Sequence, residues 1–173
     1  MSTLSPNTVA FIGLCNEYRL ALEDARAMEP REFIDRMLRL LPRIYISATD
    51  LKAAPMDEMQ EDMYLAEVLD EDYYEAIRRN VESLLGPDDV YLEVFQEDMK
   101  YSDTPVSASI SEGLADIFQV VFNFLHTVSD ATDNTIALAI NAISDDFRAF
   151  WSERLCNVLR ALNHLRYSSN EDF

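Results

Sequence analysis

The sequence predicts an all-α fold, a bundle of four to five long amphipathic helices joined by short helical connections. Three observations predict it. Apolar residues recur at spacings of three and four along most of the 173 residues. No stretch shows the two-residue alternation of a half-buried strand. Only 3 glycines are present, and sandwiches, barrels and dinucleotide-binding folds all need glycine at turns or phosphate loops. A chain of this length buries a continuous core without disulfides or metal, so residues 1–173 are read as a single helical domain.

The first helix is expected to start at Ser5-Pro6, with serine as N-cap and proline in the first turn, where its missing N–H costs nothing. Phe11, Ile12, Cys15, Tyr18 and Leu22 form its stripe. Glu29-Pro30 begins a second helix with Phe33, Ile34, Met37, Leu41 and Ile44 inward, while Arg36, Arg39 and Arg43 gather off that stripe. Pro42 is expected to kink it, because proline removes a hydrogen bond and crowds the preceding turn.

Residues 55–75 read as an acidic connection, with Asp57, Glu58, Glu61, Glu67, Asp70, Glu71 and Asp72 and no lysine or arginine. A third helix runs from about Asp70 to Leu85 and stops at Gly86-Pro87, a left-handed cap followed by a helix breaker. Residues 86–108 read as irregular, with one helical turn near Tyr91–Phe95. Ser109-Ile110-Ser111-Glu112 is a capping box, opening a helix with Leu114, Ile117, Phe118, Val121, Phe122 and Leu125 inward. That breadth of apolar surface places it centrally. The last element runs from Asp133 to Tyr167 on Ile136, Ile140, Ile143, Phe147, Phe150, Trp151, Leu155 and Leu162. A bend is expected near Ser144-Asp145-Asp146, whose side chains compete for backbone groups. The tail 168–173 is expected to fray.

With 14 basic and 32 acidic residues, the formal charge is -18. Such a surface repels phosphate backbones and anionic membranes, so neither nucleic acid nor membrane is an expected partner. A basic protein surface is. Cys15 and Cys156 each fall in an apolar helical pattern and read as buried free thiols of a reducing compartment. The N-terminus lacks the pattern of a secretory signal, and the expected location is cytoplasmic. The sequence leaves monomer and homodimer both open.

Two stretches carry a family resemblance. Ser109-Ile110-Ser111-Glu112-Gly113-Leu114-Ala115-Asp116-Ile117-Phe118-Gln119 resembles a serine-capped Leu-Ala-Asp-Ile-Tyr-Gln helix start. Phe147-Arg148-Ala149-Phe150-Trp151-Ser152, leading to Leu159-Arg160-Ala161-Leu162-Asn163, resembles a C-terminal helix with His-Trp-Gly and Ala-Leu-Arg-Ala-Leu-His segments. Both belong to the bacterial family known as domain of unknown function 5063. Leu41-Pro42-Arg43-Ile44-Tyr45 is similar to its second helix. Phe150, Ser152 and Asn163 depart from the family's histidine, glycine and final histidine. The resemblance implies a helical fold and a bacterial origin, and brings no catalytic residue.

Four constellations bear on chemistry. A di-iron bundle needs Glu-x-x-His on two helices, but Asn123 and Ala161 stand three residues before His126 and His164. All-helical magnesium-dependent nucleotide pyrophosphohydrolases of the MazG type use paired carboxylates, and Glu58, Glu61, Glu67 and Asp70 have such spacing; among so many acids that spacing also arises by chance. Asp116, Gln119, Asn123 and His126 form a polar stripe that either faces solvent or lines a pocket. If buried, Asp116 needs a cation, with Arg148, Arg154, Arg160 or the Arg36–Arg43 group as candidates. Trp151 reads as core, with an aromatic ligand platform as the rarer use. No nucleophile elbow or phosphate loop occurs, and no cofactor is expected. The resulting expectation is a non-enzymatic interaction or regulatory module. Its acidic segment would meet a basic partner, with Tyr64, Tyr73 and Tyr74 as contact area. The alternative is the magnesium-dependent hydrolase.

Overall fold

The computed structural model describes residues 4–52, 65–93, 100 and 104–168. Helix α1 spans Pro6–Glu23, and the Ser5 hydroxyl accepts the Thr8 N–H at 3.1 Å, as the local sequence predicts. Helix α2, Pro30–Thr49, continues through Pro42. Helix α3, Glu71–Leu85, is capped by the Asp70 carboxylate on the Tyr73 N–H at 2.7 Å. It ends at Gly86, whose φ of 58° and ψ of -134° form a mirror-extended conformation open to glycine without strain, in place of the left-handed helical cap expected there. Helix α4, Ile110–Val128, starts with the Ser109 hydroxyl accepting the Glu112 N–H at 3.2 Å. Helix α5, Asp133–Asp146, passes through a π-turn, Phe147–Trp151, into helix α6, Ser152–Ser168. The fold is all-α. No helix among the described residues is long and apolar enough to cross a membrane.

Helix α4 is the central element, packing on α1, α3, α5 and α6, while α2 closes the other side against α1 and α6. Phe11, Tyr18, Met37, Phe118, Phe124 and Trp151 are fully buried. Each such side chain contributes about 1.5–3 kcal/mol by leaving water. Trp151 donates its indole N–H to the Ile143 carbonyl at 3.3 Å, and its ring meets Phe147 edge-on at 4.6 Å. It is core. At Gly113 the α4 backbone comes so close to α6 that a β-carbon would overlap Val158 Cγ1.

Three expectations are corrected. The stretch after α3 is not wholly irregular and holds no helical turn at Tyr91. Strand β1, Val90–Leu92, pairs antiparallel with β2, Ser107–Ser109, with Tyr91 opposite Ala108. The Glu93 N–H extends the ladder to the Val106 carbonyl at 2.7 Å. The last element departs from α geometry just after the expected bend. Ile143, Phe147, Trp151 and Leu155 are all buried at successive four-residue steps. Each step overshoots a 3.6-residue turn by about 40°, and a wider i→i+5 turn absorbs the excess. Phe150 then falls off the buried stripe and is 41% exposed. Cys156 is exposed, whereas Cys15 is buried as expected; both are free thiols. Cys156 follows the buried Leu155 directly, and on a helix adjacent residues do not share a face.

Candidate functional site

The described part of the acidic segment is tied firmly to α4. Asn123, 6% exposed, accepts the backbone N–H groups of Val68 and Leu69 on one side-chain oxygen at 3.1 and 3.0 Å. Leu65 and Leu69 rest on the core beside it. The Tyr73 ring lies edge-on to Phe118 at 5.8 Å and Phe122 at 5.7 Å. Its hydroxyl donates to Glu23 Oε2 at 2.6 Å. Burial, with the Glu23 hydrogen bond second, pushes that hydroxyl up to about 12. Tyr74 donates to Asp116 Oδ1 at 2.6 Å, and burial followed by this bond raises it further. Both tyrosine hydroxyls therefore have partners within the chain, Tyr73 in an exposed hydrogen bond and Tyr74 in a part-buried one. Tyr64 lies outside the described residues.

What this anchoring leaves outward is carboxylate. Glu67, Asp70, Glu71 and Asp72 are exposed. Among the described residues Glu67, Glu71 and Asp72 form no ion pair or hydrogen bond, and Asp70 serves as the cap of α3. The α3 dipole favours negative charge at this end. The arrangement can attract a cationic surface at low cost, because no internal partner must be given up.

A second polar cluster lies where α4, α6 and β1 meet. Asp116 takes the Arg154 guanidinium at 3.7 Å opposite the Tyr74 hydroxyl, so Arg154 is the cation its position requires. Arg154 also lies over the Phe150 ring at 5.3 Å. Glu93, 5% exposed, accepts from the Tyr91 hydroxyl at 3.3 Å and from Asn157 Nδ2 at 3.2 Å. Burial, then the neighbouring Glu93 charge, raises the Tyr91 hydroxyl well above its ordinary range. A cavity of about 270 Å³ opens among Tyr91, Glu93, Glu112 and Arg154. Nearby, the buried Asp89 carboxylate accepts both the N–H and the hydroxyl of Ser111, at 2.7 and 2.6 Å, fastening the end of α3 to the start of α4. The sequence reading missed Asp89, Tyr91 and Glu93. The run Val90-Tyr91-Leu92-Glu93 carries no periodic signal, and its partners lie on a distant helix.

The remaining expected residues scatter. The polar stripe of α4 splits, with Asp116 and Asn123 turned inward and Gln119 and His126 exposed. Arg148 is exposed and pairs only with Asp145, at 3.5 Å. Glu58 and Glu61 lie outside the described residues; Glu67 and Asp70 are placed as above. Among the described residues no group of three or more histidine, cysteine, aspartate or glutamate side chains could hold a metal ion.

Comparison with known proteins bears on the fold and on family membership. A crystal structure of protein BF1032 from Bacteroides fragilis superposes with a TM-score of 0.80 at 27% identity, over 100% of both chains. No curated protein matches the chain. The family model "Domain of unknown function (DUF5063)" matches residues 2–168. The chain therefore belongs to the DUF5063 family, as the capped Leu-Ala-Asp-Ile start of α4 and the Trp151 to Leu162 stretch led us to expect.

Proposed function

We propose that this protein is an interaction module that docks a basic partner on the acidic edge formed by the lead-in to α3 and its first turn. One observation carries the reading. Asn123 clamps the backbone at Val68 and Leu69, so the edge is held in place before any partner arrives. Pre-organisation of this kind lowers the ordering cost of binding. The net charge of -18 would steer a cationic surface toward the molecule. The unpaired carboxylates of Glu67, Glu71 and Asp72 would then fix where it settles.

The test separates the local edge from the general field. A short arginine- and lysine-rich peptide is titrated calorimetrically at low ionic strength. Glu71→Lys/Asp72→Lys is expected to weaken binding at least about tenfold, equivalent to about 1.4 kcal/mol. Asp50→Lys/Glu153→Lys, an equal change of net charge at exposed positions elsewhere, is expected to weaken it less than about threefold. Equal losses in the two variants would mean that only overall charge matters, and the docking edge would be discarded.

A further inference from the structure

Arg36, Arg39 and Arg43 of α2 have no partner in the fold among the described residues. Carboxylates outnumber cations by 32 to 14, so carboxylate partners for the guanidiniums are plentiful. Arg19 pairs with Glu23, Arg78 with Glu75 and Glu82, Arg154 with Asp116, and Arg166 with Asp35. Arg36, Arg39 and Arg43 form no ion pair or hydrogen bond among the described residues. They follow one another at spacings of three and four on one helix face, so the strip runs about 10 Å along the axis. Together they line an open groove of about 670 Å³. Glu17 and Glu32 border this groove without pairing to any of the three. Asp35, the third acid there, is taken by Arg166 at 2.6 Å.

Like charges at these spacings repel one another slightly, so the trio is a small cost to the fold. Each guanidinium presents a planar fork of N–H donors that matches oxyanions two bonds at a time. A strip of three suits a row of charged groups better than one isolated carboxylate. The rest of the molecule limits the size of what binds. A long polyanion would run beyond the groove onto acidic surface. An anion confined to the groove meets the arginines at contact, while charges farther than about 8 Å are largely screened. We propose that this groove binds a compact phosphate-bearing anion, a di- or triphosphate of up to nucleotide size, through Arg36, Arg39 and Arg43. The site is independent of the acidic edge on α3.

The experiment is calorimetric titration of the full chain, without divalent metal and at about 0.15 M salt, where the acidic surface beyond the groove is screened, with sodium tripolyphosphate and separately with ATP. Binding of either at one site per chain is expected, tighter for ATP if the nucleoside also contacts the groove. Arg39→Gln/Arg43→Gln, both at exposed positions, should weaken binding at least about tenfold with unchanged far-ultraviolet dichroism. Arg79→Gln/Arg148→Gln, with the same charge loss at exposed positions outside the groove, should leave it unaltered. No heat of binding with either ligand up to millimolar concentration would overturn the proposal, as would equal weakening in the two variants. Tighter binding of a single-stranded oligonucleotide or a polyglutamate peptide than of tripolyphosphate would also overturn it, because the occupant would then be a macromolecule.

Discussion

Acidic groups on α4 and at the start of α3 are used in opposite ways. Asp116 is enclosed by the Tyr74 hydroxyl and the Arg154 guanidinium, and so belongs to the fold. Glu71 and Asp72 are exposed and face no cation among the described residues. Between them lies Asn123, which has no charge yet decides where the exposed acids stand. The lesson concerns reading charge from sequence. A carboxylate's role depends on whether a donor is brought to it from another element, and that is a property of packing rather than of the acid.

The contrast can be broken first at Asn123. Asn123→Ala removes the acceptor of two part-buried backbone N–H groups, and each loss costs about 1–2 kcal/mol. A loss of about 2–4 kcal/mol in urea unfolding is expected, and the same variant should also weaken the basic-peptide complex. A loss below about 0.5 kcal/mol would show that the clamp contributes little.

The second effect is on the alkaline side. Tyr18, Tyr73, Tyr74 and Tyr91 are all raised, mainly by burial, with Tyr73 reaching about 12. The folded chain then holds phenolic protons that the unfolded chain releases near pH 10. Their contribution is complete below about pH 10 and is lost as pH rises through the folded values. Stability should therefore fall steadily between about pH 10 and 12, and Tyr74→Phe should flatten that fall. Folded-state tyrosinate absorbance rising fully near pH 10 would contradict the assignment.

The smallest expected effect sharpens the outer side of the comparison. Glu71→Gln/Asp72→Asn should change stability by less than about 1 kcal/mol, the scale of a helix-dipole contribution at an exposed first turn. It should nevertheless reduce peptide affinity. A larger loss on thermal unfolding would mean that these acids hold the fold together after all.

Helix ends were legible because their causes are local. Ser5 with Pro6, Ser109 with Glu112, and Gly86 with Pro87 each act within one turn, and each is where the sequence predicts. The central position of α4 was legible from the breadth of its apolar face. The hairpin was not. Its strands are three residues each, too short for a two-residue period to register, and their pairing joins distant stretches of chain. The π-turn left a trace that went unread, the three successive four-residue steps from Ile143 to Leu155. Within the site, the need of a buried Asp116 for an arginine could be stated from sequence. That Arg154 meets it, and that Arg36, Arg39 and Arg43 are left over among the described residues, depends on which helices touch. Asn123 stood in the stripe as one polar residue among four; its two acceptor contacts reach back 55 and 54 residues, beyond any local pattern.

The most direct test of the anchored edge is amide hydrogen exchange at Val68 and Leu69, followed residue by residue in the unliganded protein. Donation to Asn123 predicts strong protection at both amides despite their place outside any helix, and loss of that protection in Asn123→Ala. Exchange at the rate of an unstructured chain in the unaltered protein would contradict it, and the pre-formed acidic edge would fall.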